Sequence, residues 1–297
     1  MGTEDALNEA LEGFLAQRRP NTRRLYRRVL GAIRQRCKSV AGANASDIVA
    51  FLGNLRAQGR SDNTIKIYLD VASSIFGWLH DMELIHKNPA RIARRALSMR
   101  QRHQVRPTAT IPTNLVPRIL AQIDGHDWKA TRDRAIVALL FGAGLRRSEA
   151  IGLNLGDVRV SPEGVVFLTL MTTKAGEIQE RAVPSWAAEM LSDVVQMRAR
   201  HGAQGDDAVF VTKYAGGWSR VSEVTLYRRF KQIVAAAVGI EAAPHAARAA
   251  FATRLMELGY HDRDVAKALG HGDAQMVAVY DKRRNGATTS AAVKIKY

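Results

Sequence analysis

Between Arg91 and Arg106 the chain carries six arginines and no acidic residue, with prolines on either side at Pro89, Pro107 and Pro112. Proline disfavours helical backbone at the residue before it, here Asn88, and a run of like charges resists burial. This stretch therefore splits the 297 residues into two parts, each of which must bury its own apolar side chains. The expected division is a first domain over residues 1–90, a basic linker over 91–110 and a larger domain over 111–297. Six like charges between two domains serve either as a solvated spacer or as a linker that crosses a phosphate backbone, which needs this composition, and on the second reading Arg91, Arg94, Arg95, Arg100, Arg102 and Arg106 are candidate DNA contacts.

The first part reads as a bundle of short helices. Leu7, Leu11, Phe14 and Leu15 share one face from Glu4 to Ala16, and Leu25, Val29 and Ile33 recur every four residues after Asn21, a candidate cap. Ser46 suits the start of a third helix through Ile48, Val49, Leu52 and Leu55, and Ser61 or Asn63 the start of a fourth through Ile67, Val71, Ile75 and Leu79. The second helix also bears Arg23, Arg24, Arg27 and Arg28. Such a run serves either as a solvated face or as a grip on phosphates, since helix periodicity alone requires no ligand.

The second part mixes helix and strand. A helix is expected from Thr131 to Phe141, ending at the turn Gly142-Ala143-Gly144. That Gly-x-Gly lacks a third glycine and follows a helix, which excludes a dinucleotide-binding loop. Val165–Met171 and Gln179–Val183 read as a hairpin with Lys174 near its tip. Everything after Trp186 reads as helix: 187–200, 221–238, 246–258, 262–269 and a short stretch leading to Tyr280. The expected fold class is mainly α with a small β-sheet.

Charge narrows the partners. Lys and Arg number 44 against 28 Asp and Glu, a formal +16 carried by both parts, which suits a polyanion such as nucleic acid. No apolar run approaches the roughly 18 residues of a membrane span, and the first residues show no signal-peptide apolar region. A soluble, cytoplasmic protein with no membrane partner is expected. Cys37 is the only cysteine, which leaves no internal disulfide and no cysteine-based zinc site.

The chemistry concentrates late in the chain. Tyr280 follows His271 by nine residues, with His245 and Arg248 upstream in Pro244-His245-Ala246-Ala247-Arg248. A phenol is a poor nucleophile at neutral pH unless cations and hydrogen-bond donors stabilise its developing charge, and Arg and His do so at a phosphodiester. Taken singly, each of these residues has an ordinary structural explanation. In order they carry more. Gly144-Leu145-Arg146-Arg147-Ser148-Glu149, Lys174 in a hairpin ending Arg181-Ala182-Val183-Pro184, His245 to Arg248, Leu269-Gly270-His271 and Tyr280 together resemble the active-site motifs of the tyrosine recombinases, the phage-integrase family. Residues 1–90 resemble that family's helical core-binding domain, with Ser61-Asp62-Asn63-Thr64-Ile65 and Trp78-Leu79 preceding Asn88-Pro89. The closest architecture is that of the Xer and plasmid-resolvase members.

The resemblance implies a SAM-like N-terminal bundle and a mixed α+β catalytic domain. It implies that Tyr280 is the nucleophile, that Arg146 and Arg248 grip the nonbridging oxygens, and that Lys174 protonates the leaving 5′ oxygen. His245 would accept the Tyr280 proton or bond the phosphate, and His271 would donate to a nonbridging oxygen, while Glu149, three residues after Arg146 on the same helical face, would orient the active-site groups. It implies neither metal nor ATP, because the phosphotyrosine linkage conserves the bond energy. The implied partners are double-stranded DNA with paired inverted sites, three further copies of the chain in a tetrameric synapse, and accessory DNA-bending proteins in the nucleoid. Three departures stand out: Ala249 occupies a position where many members have His, Ala246-Ala247 replaces bulkier residues, and the hairpin after Lys174 is slightly longer than the commonest form. A type IB topoisomerase relaxing DNA as a monomer uses similar chemistry and is the alternative.

Overall fold

The computed structural model describes residues 3–37, 39–97, 111–171 and 178–270. The chain divides into two compact units, Met1–Val105 and Arg106–Tyr297.

The first unit contains α1 (Thr3–Ala16), α2 (Pro20–Arg34), α3 (Ala45–Ala57), α4 (Asp62–Asp81) and α5 (Pro89–Ala96). Its core is built around α4, whose Ile65, Leu69, Ala72, Ile75, Phe76 and Leu79 are all buried. Trp78 brings its ring to 4.9 Å from that of Phe14 on α1. Of the expected caps, Ser61 is found, that of α3 moves by two residues, and Asn21 does not cap α2. Asn44, ahead of Ser46, caps α3 in a box with Asp47, Ser61 caps α4 through the Thr64 amide, and α2 starts at Pro20 without a side-chain cap.

Asn88-Pro89 both stops one helix pattern and starts another. Asn88 is buried, accepts the Ala90 and Arg91 amides at 3.1 Å and donates to the Ser73 carbonyl at 2.9 Å. Pro89 takes the first helical turn, where its missing N–H costs nothing. The resulting α5 packs Ala90 and Ala93 against α3 and α4. Residues 91–96, expected as linker, thus belong to a helix of the first unit.

The second unit is organised on α7 (Trp128–Gly142), which is buried nearly all round from Ala135 to Phe141. Around it lie α6 (Val116–Ala121), α8 (Arg147–Gly152), α9 (Ser185–Arg200), α10 (Glu223–Val238) and α11 (Pro244–Glu257). A run of alanines explains how α11 fits. Ala246, Ala247 and Ala250 join the main core, while Ala249 and Ala252 pack with Val265 and Leu269 of α12 (Asp262–Leu269). Ala249 is thus an apolar contact between two helices.

Three antiparallel strands, β1 (Val158–Val160), β2 (Val166–Met171) and β3 (Ile178–Val183), form a sheet in chain order. Leu168 pairs with Arg181 and Leu170 with Gln179, so these four share the inner face with Val183. The all-helix expectation after Trp186 fails at β4 (Val211–Tyr214) and β5 (Gly217–Arg220), a two-stranded hairpin. Four-residue strands are too short for a period to be read in sequence. Among the described residues no helix is long and apolar enough to cross a membrane.

Candidate active site

The turn after α7 sets the site. Ala143 ends the helix and Gly144 adopts φ +60°, where a side chain would also run into the Phe251 ring. The chain then enters α8, with Arg146 as the residue before its first turn. Glu149 holds Arg146 from one turn further on: Oε2 accepts the Arg146 amide at 2.6 Å and Oε1 accepts Nη1 at 2.5 Å. The Arg146 side chain remains 40% exposed while that of Glu149 is 10% exposed. The guanidinium is therefore held yet open to a ligand.

Arg248 arrives from α11 and is almost fully buried, at 1%. Its Nη1 donates to the Gly144 carbonyl at 2.5 Å and lies 3.7 Å from Glu149 Oε2, and its Nη2 donates to the Leu269 carbonyl at the end of α12. Gly270 caps α12 in the left-handed region, and its carbonyl accepts Arg146 Nη2 at 3.4 Å. One arginine thus ties three segments together, and the second reaches across the same junction.

His245 precedes Arg248 by three residues on α11 and so shares its face. It reaches solvent, yet partial desolvation, followed by repulsion from Arg248 and Arg146, lowers its pKa below the ordinary 6.5. A neutral imidazole beside two guanidiniums can accept a proton at neutral pH.

A third guanidinium lies here that sequence reasoning assigned no role. Arg181 is 5% exposed on the inner face of β3 and donates to the Ala143 carbonyl at 3.0 Å. The available signal was a charged residue two positions before Val183 on the alternating, core-facing side of a strand. Three arginines around one carboxylate leave the site positive, as an anion site requires. Lys174, His271 and Tyr280 lie outside the described residues, as do Arg100, Arg102 and Arg106.

The remaining basic candidates divide by what they touch. Arg23 does not face solvent as a free charge: its guanidinium donates to the carbonyls of Leu15 and Ala16 in the last turn of α1 and of Arg18 just beyond it. Arg27 pairs with Glu12 at 2.8 Å, and Arg94 with Asp70 at 2.5 Å. Arg24 and Arg28 on α2, and Arg91 and Arg95 on α5, are exposed and spaced four apart. Arg91, Arg94 and Arg95 line an open recess of about 500 Å³ with Asp70, Ser73 and Ser74.

Comparison with known proteins places this arrangement. Residues 110–285 match the model described as the phage integrase family. The tyrosine recombinase XerC of Chromobacterium violaceum is 27% identical over 282 residues, covering 92% of this chain and 90% of the relative. That of Pseudomonas syringae pv. syringae is 28% identical over 266 residues, covering 88% and 85%. Among solved structures, the fold matches the Tn1549 transposon integrase in complex with circular intermediate DNA, with a TM-score of 0.71, 19% identity and full coverage of both chains. XerH site-specific recombinase bound to a palindromic difH substrate gives 0.71 at 18% identity, covering 92% of this chain and 80% of that one. A lambda integrase dimer bound to a core site gives 0.68 at 17%, covering 93% and 94%. Backbone similarity therefore extends to lambda integrase as well as to the Xer type. None of these similarities supports the topoisomerase alternative.

Proposed function

The chain belongs to the phage integrase family and is a tyrosine recombinase, and from that premise we propose a specific division of labour among its residues. The observation that carries it is the convergence of Arg146 and Arg248 on Glu149, with His245 close enough to both arginines to feel their charge, at a turn that leaves Arg146 open.

In this reading a DNA phosphodiester sits against Arg146, whose planar fork matches two nonbridging oxygens. Arg248 supplies a second, desolvated positive charge. Tyr280 attacks phosphorus and gives its proton to His245, which the low pKa keeps ready to receive it. The bond to the 5′ oxygen breaks as Lys174 donates a proton to it, leaving a 3′-phosphotyrosyl intermediate and a 5′ hydroxyl. His271 adds a hydrogen bond to a nonbridging oxygen. A 5′ hydroxyl from a second duplex then attacks phosphorus, Lys174 accepts its proton, and the Tyr280 phenolate leaves and is reprotonated by His245. Charge that builds at phosphorus meets donors already oriented, which is where most of the rate should come from.

The first unit would bind the duplex through Arg24 and Arg28 on α2 and Arg91 and Arg95 on α5, with residues 98–110 spanning to the catalytic unit. Paired inverted sites, four protomers in the synapse and accessory bending proteins complete the proposal, which places the protein at the nucleoid in the cytoplasm. Mixing it with a nicked suicide substrate tests the core. Wild type should leave a covalent adduct on a denaturing gel, and Tyr280→Phe should bind the same DNA and leave none. An adduct with Tyr280→Phe would rule out this nucleophile.

A further inference from the structure

Arg181 occupies a position that a strand normally gives to an aliphatic residue. Its neighbours on the inner face of the sheet are Leu168, Leu170 and Val183, all buried. Burying a guanidinium there is costly unless it is bonded and compensated, and the desolvation lowers its pKa. What it touches is specific. Nη1 donates to the Ala143 carbonyl at 3.0 Å, and the next carbonyl, that of Gly144, takes Arg248 Nη1 at 2.5 Å. Two buried guanidiniums from different elements thus hold two successive carbonyls of the turn that leads to Arg146.

The second prong extends the link. Arg181 Nη2 donates to Gln179 Oε1 at 3.4 Å, and the amide end of the Gln179 side chain packs against Gly270, where it occupies the space a Cβ would take. The Gly270 carbonyl in turn accepts Arg146 Nη2. Arg181, Gln179, Gly270 and Arg146 therefore form a closed path from β3 to the cap of α12 and back to the arginine in the open site. Glu149 attracts Arg181 through space while Arg146 repels it, so the three charges sense one another.

We propose that Arg181 is a positioning residue for DNA cleavage: it clamps the Ala143–Arg146 turn to β3 and, through Gln179, to the α12 cap, which holds the Arg146 guanidinium in its phosphate-binding orientation. The proposal rests on the reading of Arg146 as a phosphate ligand. A ligand displaced by about an ångström can cost on the order of a hundredfold in rate with little change in binding. A residue needed only for folding would instead lower stability and leave the rate per folded molecule unchanged.

The experiment measures single-turnover cleavage of a nicked suicide substrate, DNA affinity and thermal unfolding of the full chain for Arg181→Met, Arg181→Lys and Tyr280→Phe. Arg181→Met should bind DNA near normally and cleave on the order of 10- to 100-fold more slowly. The deficit should persist with a 5′-bridging sulfur substrate, whose weakly basic leaving group needs no proton, because the defect lies in the phosphate grip. Adding Arg146→Lys to Arg181→Met should slow cleavage little beyond Arg146→Lys alone, since Arg181 acts through Arg146. Arg181→Lys, which keeps the charge and one donor, should recover part of the rate. Wild-type cleavage by Arg181→Met, or fully additive losses in the double variant, would overturn the proposal. If Arg181→Met does not fold, Arg181→Lys decides: cleavage at the wild-type rate overturns it, and a reduced rate at unchanged affinity supports it. An adduct formed by Tyr280→Phe would instead show that the active-site reading beneath it is wrong.

Discussion

Glu149 grips Arg146 at two places at once, its backbone amide at 2.6 Å and its guanidinium at 2.5 Å. The first contact caps α8 and the second aims the side chain, so one carboxylate couples the start of a helix to the orientation of a ligand. Glu149→Gln keeps an acceptor but gives up the charge opposite Arg146 and Arg248. We expect cleavage to fall about tenfold, with DNA affinity held or slightly raised as the site gains positive charge. Parallel measurement of cleavage rate and affinity checks this; a proportional fall in both would point to lost folding instead.

Arg146 and Arg248 should respond differently to lysine. Arg146 is 40% exposed, so Arg146→Lys should fold normally and lose on the order of a hundredfold in cleavage, because an ammonium cannot fork across two oxygens. Arg248 is 1% exposed and donates to carbonyls on two segments, so Arg248→Lys should lose activity and also unfold at a lower temperature. Equal melting temperatures for the two variants would contradict the anchoring role given to Arg248.

His245 makes a pH prediction. Its pKa in the folded protein is depressed by desolvation and by Arg248 and Arg146. The unfolded chain therefore binds a proton more readily, and the stability contribution is complete above pH 6.5 and is lost as pH falls through the lower folded value. Wild type should lose stability below pH 6.5 more steeply than His245→Gln, and its imidazole should titrate below 6.5 by NMR in DNA-free protein. A midpoint at or above 6.5 would sink the assignment.

Asp133 is 3% exposed between Arg132, 2.7 Å away, and Arg229, 2.8 Å away, and Arg132 also donates to the Val211 carbonyl at 3.0 Å. This network ties α7 to β4 and α10. Asp133→Ala strands the buried Arg132 charge and should destabilise the catalytic unit by about 3–5 kcal/mol in chemical denaturation. A change under about 1 kcal/mol would mean that water replaces the carboxylate.

Arg24 and Arg28 can be separated from Arg23 by salt. Each phosphate contact removed should lower the slope of log affinity against log salt by about 0.9. The pair Arg24→Ala and Arg28→Ala should flatten the slope without affecting folding. Arg23→Ala should leave it unchanged and lower stability, since its donors go to carbonyls at the C-terminal end of α1.

The periodicity of apolar residues by itself determined the helical bundle, the β2–β3 hairpin and several of the second unit's helices, because burial on one face writes a repeat of 3.6 or 2 into the chain, whereas α7, buried nearly all round, was legible only as an apolar run ended by the glycine turn. The order Arg146, His245, Arg248 was equally legible, since the catalytic residue types in that order resemble a family. Tertiary structure decided the rest. Asn88-Pro89 reads as a break, and only the Ser73 carbonyl waiting on α4 explains why α5 starts there. The β4–β5 strands are too short to carry a period, and they form because each pairs with the other. Arg23 and Arg24 are adjacent and chemically identical in sequence, yet one is spent on backbone carbonyls and the other remains exposed. Arg181 sits in a strand far along the chain from Ala143, and nothing local indicates that they meet. Local patterns record which side of an element is buried; they do not record which partner waits there, because that partner is brought in by the packing of other elements.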